Sequence, residues 1–118
     1  MKAHKLLKEE YKQRKFKIGV FQIRNTQNGK VLIGSSLNLD AIWNRNKMEL
    51  NFGTHRNEEL QKEWKEFGME KFVFEVLGEI EQKDDVVIDL EAEVKTLEAM
   101  YIEERKPFDG QGYNVKRI

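Results

Sequence analysis

The stretch that decides the fold is FKIGVFQIRNTQNGKVLIG, residues 16–34. Its first part, residues 16–24, alternates side chains between two faces and predicts a strand. The Asn28-Gly29 pair is a strong hairpin signal, because both residue types tolerate positive φ angles. Residues 30–34 then predict a second strand that is apolar on both faces, so we expect layers of structure to cover it on both sides.

Further elements follow the hairpin towards the C-terminus. A helix is predicted from about residue 38 to residue 50, and Gly53 ends it. A second helix with an apolar face ends at Gly68. Residues 72–77 alternate and predict a third strand, and a long helix is predicted from about residue 87 to residue 105.

The order of these elements predicts the fold class and the domain organisation. Residues 1–15 predict a charged N-terminal helix, and residues 16–118 predict one globular domain without a linker. We expect an α/β (α+β) fold, in which helices flank a small, mainly antiparallel sheet of three strands.

Composition restricts the classes of function and the setting. The 118 residues include no cysteine, which excludes disulfides and thiolate metal sites. No signal peptide or membrane-length apolar run is visible, and we expect a cytoplasmic protein. The 21 basic and 21 acidic residues balance, but basic residues are concentrated near the N-terminus, so a neutral total can still contain a basic face.

Seven segments resemble, in order and spacing, the elements of the GIY-YIG nuclease family. They are Gly19-Val20-Phe21, Leu32-Ile33-Gly34, residues 35–39, residues 53–55 with 60–64, residues 72–77, residues 97–102 and Gly112-Tyr113-Asn114. The segments resemble the catalytic domains of homing endonucleases and of the excision-repair nuclease subunit. The resemblance implies a domain that acts on DNA by hydrolysing a phosphodiester.

The resemblance also implies one divalent cation, Mg²⁺ or Mn²⁺, bound by a carboxylate on the last helix. Glu98 occupies that position. It is conspicuous in the sequence as well, because it lies four residues from both Val94 and Ile102 and therefore in or beside the apolar stripe of the helix. The alternative is a residue at the edge of the stripe that reaches solvent, as helix glutamates usually do.

Two further polar residues match the family's site. His55 matches its histidine between two helices, and the alternative is a capping or loop residue, with Thr54 the stronger candidate for the cap. Asn114 matches the terminal asparagine, which can hydrogen-bond within the site. Its alternative role is that of a turn residue after Gly112.

Four positions depart from the family pattern. Phe21 and Leu32 stand at the positions of the two motif tyrosines, one of which helps to generate the nucleophile in the family, and neither side chain can accept or donate a proton. Ile42 stands at the position of the arginine that steadies the phosphate, and Asn46 at that of a histidine. The phosphate clamp and the obvious proton acceptors are therefore missing together.

A neighbouring arginine can in principle replace the one missing at Ile42. Arg45 lies three residues further along the helix, on the same side, and Arg24 on the first strand is another candidate. The alternative for both is a solvated surface charge, and Ile42 itself fits the apolar stripe of its helix.

Three functions are compatible with this pattern. They are an active or weakly active endonuclease that uses Glu98 and Arg45, a degenerate nuclease that binds nucleic acid without cutting it, and a domain for protein interaction. We predict that metal-dependent hydrolysis of duplex DNA is absent or far below that of an intact family member.

Overall fold

The computed structural model describes residues 16–82 and 89–115. The N-terminal helix predicted within residues 1–15 lies outside the described residues. The main elements of the described ranges are three strands and three helices. They are β1 (Gly19–Asn25), β2 (Val31–Ser36), α1 (Leu39–Phe52), α2 (Glu58–Phe67), β3 (Phe72–Glu79) and α3 (Leu90–Arg105). Within the described ranges, no helix combines the length and the apolar character needed to cross a membrane.

The three strands form one antiparallel sheet in the order β2-β1-β3, as the sequence predicts. The turn between β1 and β2 is wider than a two-residue hairpin, since the Asn25 N–H donates to the Lys30 carbonyl at 2.9 Å across four intervening residues. Gly29 alone takes the positive φ of 79° that the Asn28-Gly29 pair suggested. A glycine is needed there because a side chain would be strained in that conformation.

Local caps set the ends of the helices. The Asn38 side chain accepts the Ala41 N–H at the start of α1, and Gly53 ends that helix in the left-handed conformation. The cap of α2 is Asn57, whose side chain accepts the Leu60 N–H, so the prediction that Thr54 would be the cap was wrong. Thr54 lies too early, because the chain turns through two more residues before the helix begins.

Helices cover both faces of the sheet. On one face, α1 and α2 pack over alternate side chains of the strands; the buried residues of this core are Phe21, Ile23, Leu39, Leu50, Leu60, Trp64, Phe72 and Tyr113. On the other face, α3 packs over a smaller core with the buried residues Ile18, Val20, Ile33 and Val94. Covering on both sides confirms the expectation from the apolar second strand.

The C-terminal segment lies along the outer edge of β2. Gly112 forms a parallel bridge with Val31, and the Tyr113 N–H donates to the Val31 carbonyl at 2.9 Å. Gly112 has no room for a side chain, because a Cβ would lie 2.4 Å from the Pro107 carbonyl oxygen. The segment therefore satisfies backbone groups that would otherwise be exposed at the edge of the sheet.

Candidate functional site

Glu98 lies on α3 where the helix crosses the end of β2. Its side chain is 19% exposed, and its Oε2 accepts a hydrogen bond from the Ser35 hydroxyl at 2.5 Å. Lys95, one turn earlier on α3, places its Nζ 3.7 Å from the same oxygen. The predicted metal carboxylate is thus largely enclosed, and it lies between a hydroxyl donor and a cation.

Ser35 is a member of this site to which the sequence analysis assigned no role. Alternation along β2 places it on the same face as Ile33, which belongs to the core under α3. The alternation of β2 could have indicated this role, because a polar side chain in phase with Ile33 must point towards the helix that covers this face. The composition of Gly34-Ser35-Ser36, which is typical of a loop, obscured that alternation.

Phe21 and Leu32 lie in the core on the opposite face, under α1. Phe21 is 5% exposed and stacks on Phe74 with ring centroids 5.2 Å apart. Its ring also lies over Gly34, where a Cβ would approach the Phe21 Cζ to 2.7 Å. Leu32 is half-buried against the same core. Both side chains therefore serve the hydrophobic packing under α1.

Ile42 and Arg45, three residues apart on α1, differ in their burial. Ile42 is half-buried and packs against the core under this helix, as its place in the apolar stripe predicted. The Arg45 side chain is 74% exposed, with its Nε 3.8 Å from Glu49 Oε1 on the same helix. Such an exposed pair contributes little to stability and leaves the guanidinium in solvent.

Arg24, the second candidate to replace the missing arginine, is paired on the sheet. Its Nε donates to Glu75 Oε1 at 2.8 Å, and its Nη2 donates to Oε2 at 3.3 Å. Glu75 also accepts a hydrogen bond from Gln22 at 2.9 Å. The hydrogen bonds from Arg24 and Gln22 hold the pKa of Glu75 below its usual value. The Arg24 guanidinium is therefore already bound to a carboxylate.

His55 is 9% exposed and joins the loop after α1 to that helix. Its Nε2 lies 2.6 Å from Asn46 Oδ1, and the Asn46 amide donates to the Ile42 carbonyl at 2.7 Å. Its Nδ1 accepts the Asn57 N–H at 3.0 Å, so the proton of the neutral ring is on Nε2. Burial lowers the pKa of His55 from its ordinary value of 6.5.

Asn114 lies beside β2 and binds its backbone. The side-chain Oδ1 accepts the Ile33 N–H at 2.8 Å, and the Nδ2 donates to the Ile33 carbonyl at 2.9 Å. The amide group thus continues the sheet as one more strand would. This pairing uses one lone pair of Oδ1 and one of the two amide protons.

A buried polar cluster holds the segment that carries Asn114. Tyr113 donates to Glu63 at 2.6 Å, and the same Glu63 oxygen accepts hydrogen bonds from Asn25 and Asn28. Burial acts to raise the pKa of Glu63, but the bonds from Tyr113, Asn28 and Lys30 outweigh it and hold that pKa below its usual value. This cluster ties the hairpin turn, α2 and the C-terminal segment together.

The predicted site residues therefore divide into separate groups. Glu98 and Asn114 contact neighbouring parts of β2, at Ser35 and Ile33. His55 contacts α1 through Asn46, and Arg45 points into solvent beside that helix. Hydrogen bonds do not link His55 or Arg45 to Glu98 among the described residues.

The residues around Glu98 fit a weak site for a hard cation. No group of three or more His, Cys, Asp or Glu side chains able to hold a metal occurs within residues 16–82 and 89–115. Mg²⁺ and similar ions are often held by one or two carboxylates, with water and substrate phosphates as the other ligands. One enclosed carboxylate is compatible with that arrangement.

Comparison with known proteins agrees with this geometry. The model of the GIY-YIG catalytic domain matches residues 17–114. The chain is 35% identical over 75 residues to intron-associated endonuclease 1 of Enterobacteria phage T4. These 75 residues are 64% of this chain and 30% of the phage protein. The chain therefore spans about a third of the length of this relative.

Two solved structures have the same fold. The catalytic domain of homing endonuclease I-TevI superposes with a TM-score of 0.69 at 29% identity, covering 85% of this chain and 99% of that one. A point mutant of the catalytic domain of intron endonuclease I-TevI gives a TM-score of 0.69 at 28% identity, with 86% and 95% covered.

Proposed function

The chain belongs to the GIY-YIG catalytic domain family, and from this premise we propose that it is a DNA-directed, nuclease-like domain with impaired metal-dependent phosphodiester hydrolysis. The phage relative and the two solved domains are named as endonucleases, which supports DNA as the partner. The impairment is argued from the side chains of this chain.

The apolar packing of Phe21, Leu32 and Ile42 carries the proposal. All three side chains belong to one hydrophobic core, so none of them offers a group that can take a proton or stabilise charge on a phosphate. A positioned general base typically contributes about 10²- to 10⁴-fold to a rate. One donor aimed at the developing charge contributes on the order of 10²-fold or more. Groups that act as a unit are not additive, but either loss alone predicts a poor enzyme.

Glu98 is the residue that would hold Mg²⁺ or Mn²⁺. A cation bound there would supply Lewis-acid stabilisation of negative charge on a phosphate oxygen. The Ser35 hydroxyl orients the carboxylate, and the burial of Glu98 reduces the competition from water. The metal-binding part of the family's site thus persists, whereas the proton-accepting and arginine parts do not.

Nicking of supercoiled plasmid in Mn²⁺ tests the proposal. The wild type is compared with Glu98→Ala and Arg45→Ala, and Lys62→Ala serves as a control at an exposed basic residue on α2. We expect nicking at background level for all four proteins. We also expect binding to DNA that weakens as the salt concentration rises, since phosphate contacts release counterions.

Two outcomes contradict the proposal in different ways. Robust nicking by the wild type that both Glu98→Ala and Arg45→Ala abolish would show an active endonuclease, with Arg45 as the relocated phosphate clamp. The absence of both nicking and salt-dependent binding would identify a domain that has also lost its nucleic-acid role. That outcome would favour a function in protein interaction.

A further inference from the structure

Ser35 breaks the apolar row that β2 presents to α3. Val31 and Ile33, the preceding residues on this face, pack in the core under the helix. Ser35 is the next in phase, and its hydroxyl donates to Glu98 Oε2 at 2.5 Å. This distance is at the short end for an O–H···O contact, as expected when the acceptor is a carboxylate. The bond joins positions 63 residues apart, so the fold itself brings the two side chains together.

The two oxygens of Glu98 are not equivalent. Ser35 and Lys95 both contact Oε2, at 2.5 and 3.7 Å. Among the described residues, none donates a hydrogen bond to Oε1. The Lys95 contact is the weaker of the two, because its side chain is 64% exposed and exposed ion pairs contribute little. The Ser35 hydroxyl therefore does most to fix the orientation of the carboxylate.

We infer that Ser35 is a positioning residue for the metal site: it holds Oε2 so that Oε1 is presented to a divalent cation as a single ligand. This inference rests on the proposed role of Glu98 in metal binding. Carboxylates that bind metals are usually oriented by hydrogen bonds from other groups. Removing such a partner typically lowers metal affinity by about 10- to 100-fold. A carboxylate without its partner samples several rotamers, and only some of them direct Oε1 to the site.

Ser36 provides a matched control. It is the neighbouring serine on the same strand, with its side chain on the other face. Its hydroxyl accepts the Asn38 N–H at 2.9 Å and donates to the Asn38 carbonyl at 2.9 Å. It therefore stabilises the turn into α1 and makes no contact with Glu98. A general loosening of this segment would affect both serines, whereas the positioning role is specific to Ser35.

The experiment is a Mn²⁺ titration of the full chain without nucleic acid, with free Mn²⁺ measured by electron paramagnetic resonance. The proteins are the wild type, Ser35→Ala, Ser35→Thr, Ser36→Ala and Glu98→Gln. We expect Ser35→Ala to weaken Mn²⁺ binding by about 10-fold or more. Ser35→Thr keeps a hydroxyl on a residue type that strands accept and is expected to bind like the wild type. Ser36→Ala is expected to match the wild type, and Glu98→Gln to lose the site.

The outcomes separate this inference from its premise. If Glu98→Gln loses the site but Ser35→Ala binds like the wild type, the role of Ser35 is wrong and the metal assignment stands. If Glu98→Gln binds like the wild type, or the wild type has no saturable site, the metal assignment itself is wrong. An equal loss in Ser35→Ala and Ser36→Ala would also overturn the positioning role. If the NMR spectrum shows that Ser35→Ala does not fold, Ser35→Cys replaces it. The thiol is a weak hydrogen-bond donor, so we expect a Mn²⁺ affinity between those of the wild type and Glu98→Gln.

Discussion

The two faces of the sheet carry opposite kinds of side chain at the candidate site positions. Under α1, Phe21 and Ile42 are packed into an aromatic and aliphatic core. Under α3, Glu98 remains polar, is 19% exposed and is held by Ser35. One face is thus packed with hydrocarbon at these positions, whereas the other places a carboxylate in contact with a hydroxyl.

The difference shows that the two faces constrain substitution in different ways. Replacing a polar group by hydrocarbon at a half-buried position gains apolar burial and removes the need for a hydrogen-bond partner. The same replacement at Glu98 would leave Ser35 without its acceptor. The polar face therefore depends on a hydrogen-bonded pair, whereas the apolar positions depend on packing.

The largest expected effect is on stability, from Phe21→Ala on the apolar face. The side chain is 5% exposed and stacks on Phe74, so its removal leaves a cavity in the main core. Substitutions of this type cost about 3–5 kcal/mol. The free energy of unfolding in urea measures the effect. Glu98→Gln on the other face is the control, with an expected change of about 1 kcal/mol or less, because the amide oxygen can still accept the Ser35 hydroxyl. Comparable losses at both positions would remove the distinction between the faces.

A smaller loss is expected from Asn114→Ala at the edge of β2. The substitution leaves the Ile33 N–H and carbonyl without their partner, and unsatisfied buried groups cost about 1–3 kcal/mol. We expect lower stability together with faster hydrogen exchange of the Ile33 amide. Unchanged exchange at Ile33 would show that the asparagine is dispensable for the sheet, and would favour the catalytic role that the resemblance implies.

The sequence was sufficient to predict most of the fold. The Asn28-Gly29 signal, the glycine at position 53 and the alternation of residues 72–77 are local features, and each structure formed where its pattern indicated. Ile42 was readable for the same reason, because a helical stripe is a property of neighbouring residues.

The sequence could not predict the partners within the site. The bond from Ser35 to Glu98 spans 63 residues and that from Asn114 to Ile33 spans 81, so no local pattern contains either. The alternatives for Asn114 were a hydrogen bond within the site and a turn. The structure adds a third role, pairing with the edge of a strand, which requires knowing which strand is at the edge.

A pH dependence is expected from His55 on the side of α1. Burial lowers its pKa from the ordinary value of 6.5, and its Nδ1 accepts a backbone N–H that requires the neutral ring. Below pH 6.5 the unfolded chain therefore takes up a proton before the folded chain does, and stability falls as the pH decreases towards the folded-state pKa. Stability from this group is complete above pH 6.5.

Urea unfolding between pH 7.5 and 5 in His55→Gln and His4→Gln measures this effect. The chain has two histidines, so the two variants account for all of its imidazole groups. We expect His55→Gln to have a flatter stability profile than the wild type, and His4→Gln to retain the wild-type slope. A flat profile in His4→Gln would show that the pH dependence comes from His4, and the prediction for His55 would be wrong.

The smallest expected effect distinguishes Lys95 from Arg45 as the residue that contacts a phosphate. Both side chains are largely exposed, but Lys95 Nζ lies 3.7 Å from Glu98 Oε2, whereas Arg45 is paired with Glu49 beside α1. A DNA phosphate placed at Glu98 would therefore meet Lys95 first. Losing one phosphate contact lowers the slope of log K against log salt by about 0.9 and weakens binding to all DNA sequences alike.

We expect this decrease for Lys95→Met and unchanged slopes for Arg45→Met and for Lys62→Met, a control at an exposed lysine on α2. A lower slope for Arg45→Met alone would instead place the phosphate beside α1, and the polar pair at Glu98 would then have no nucleic acid next to it.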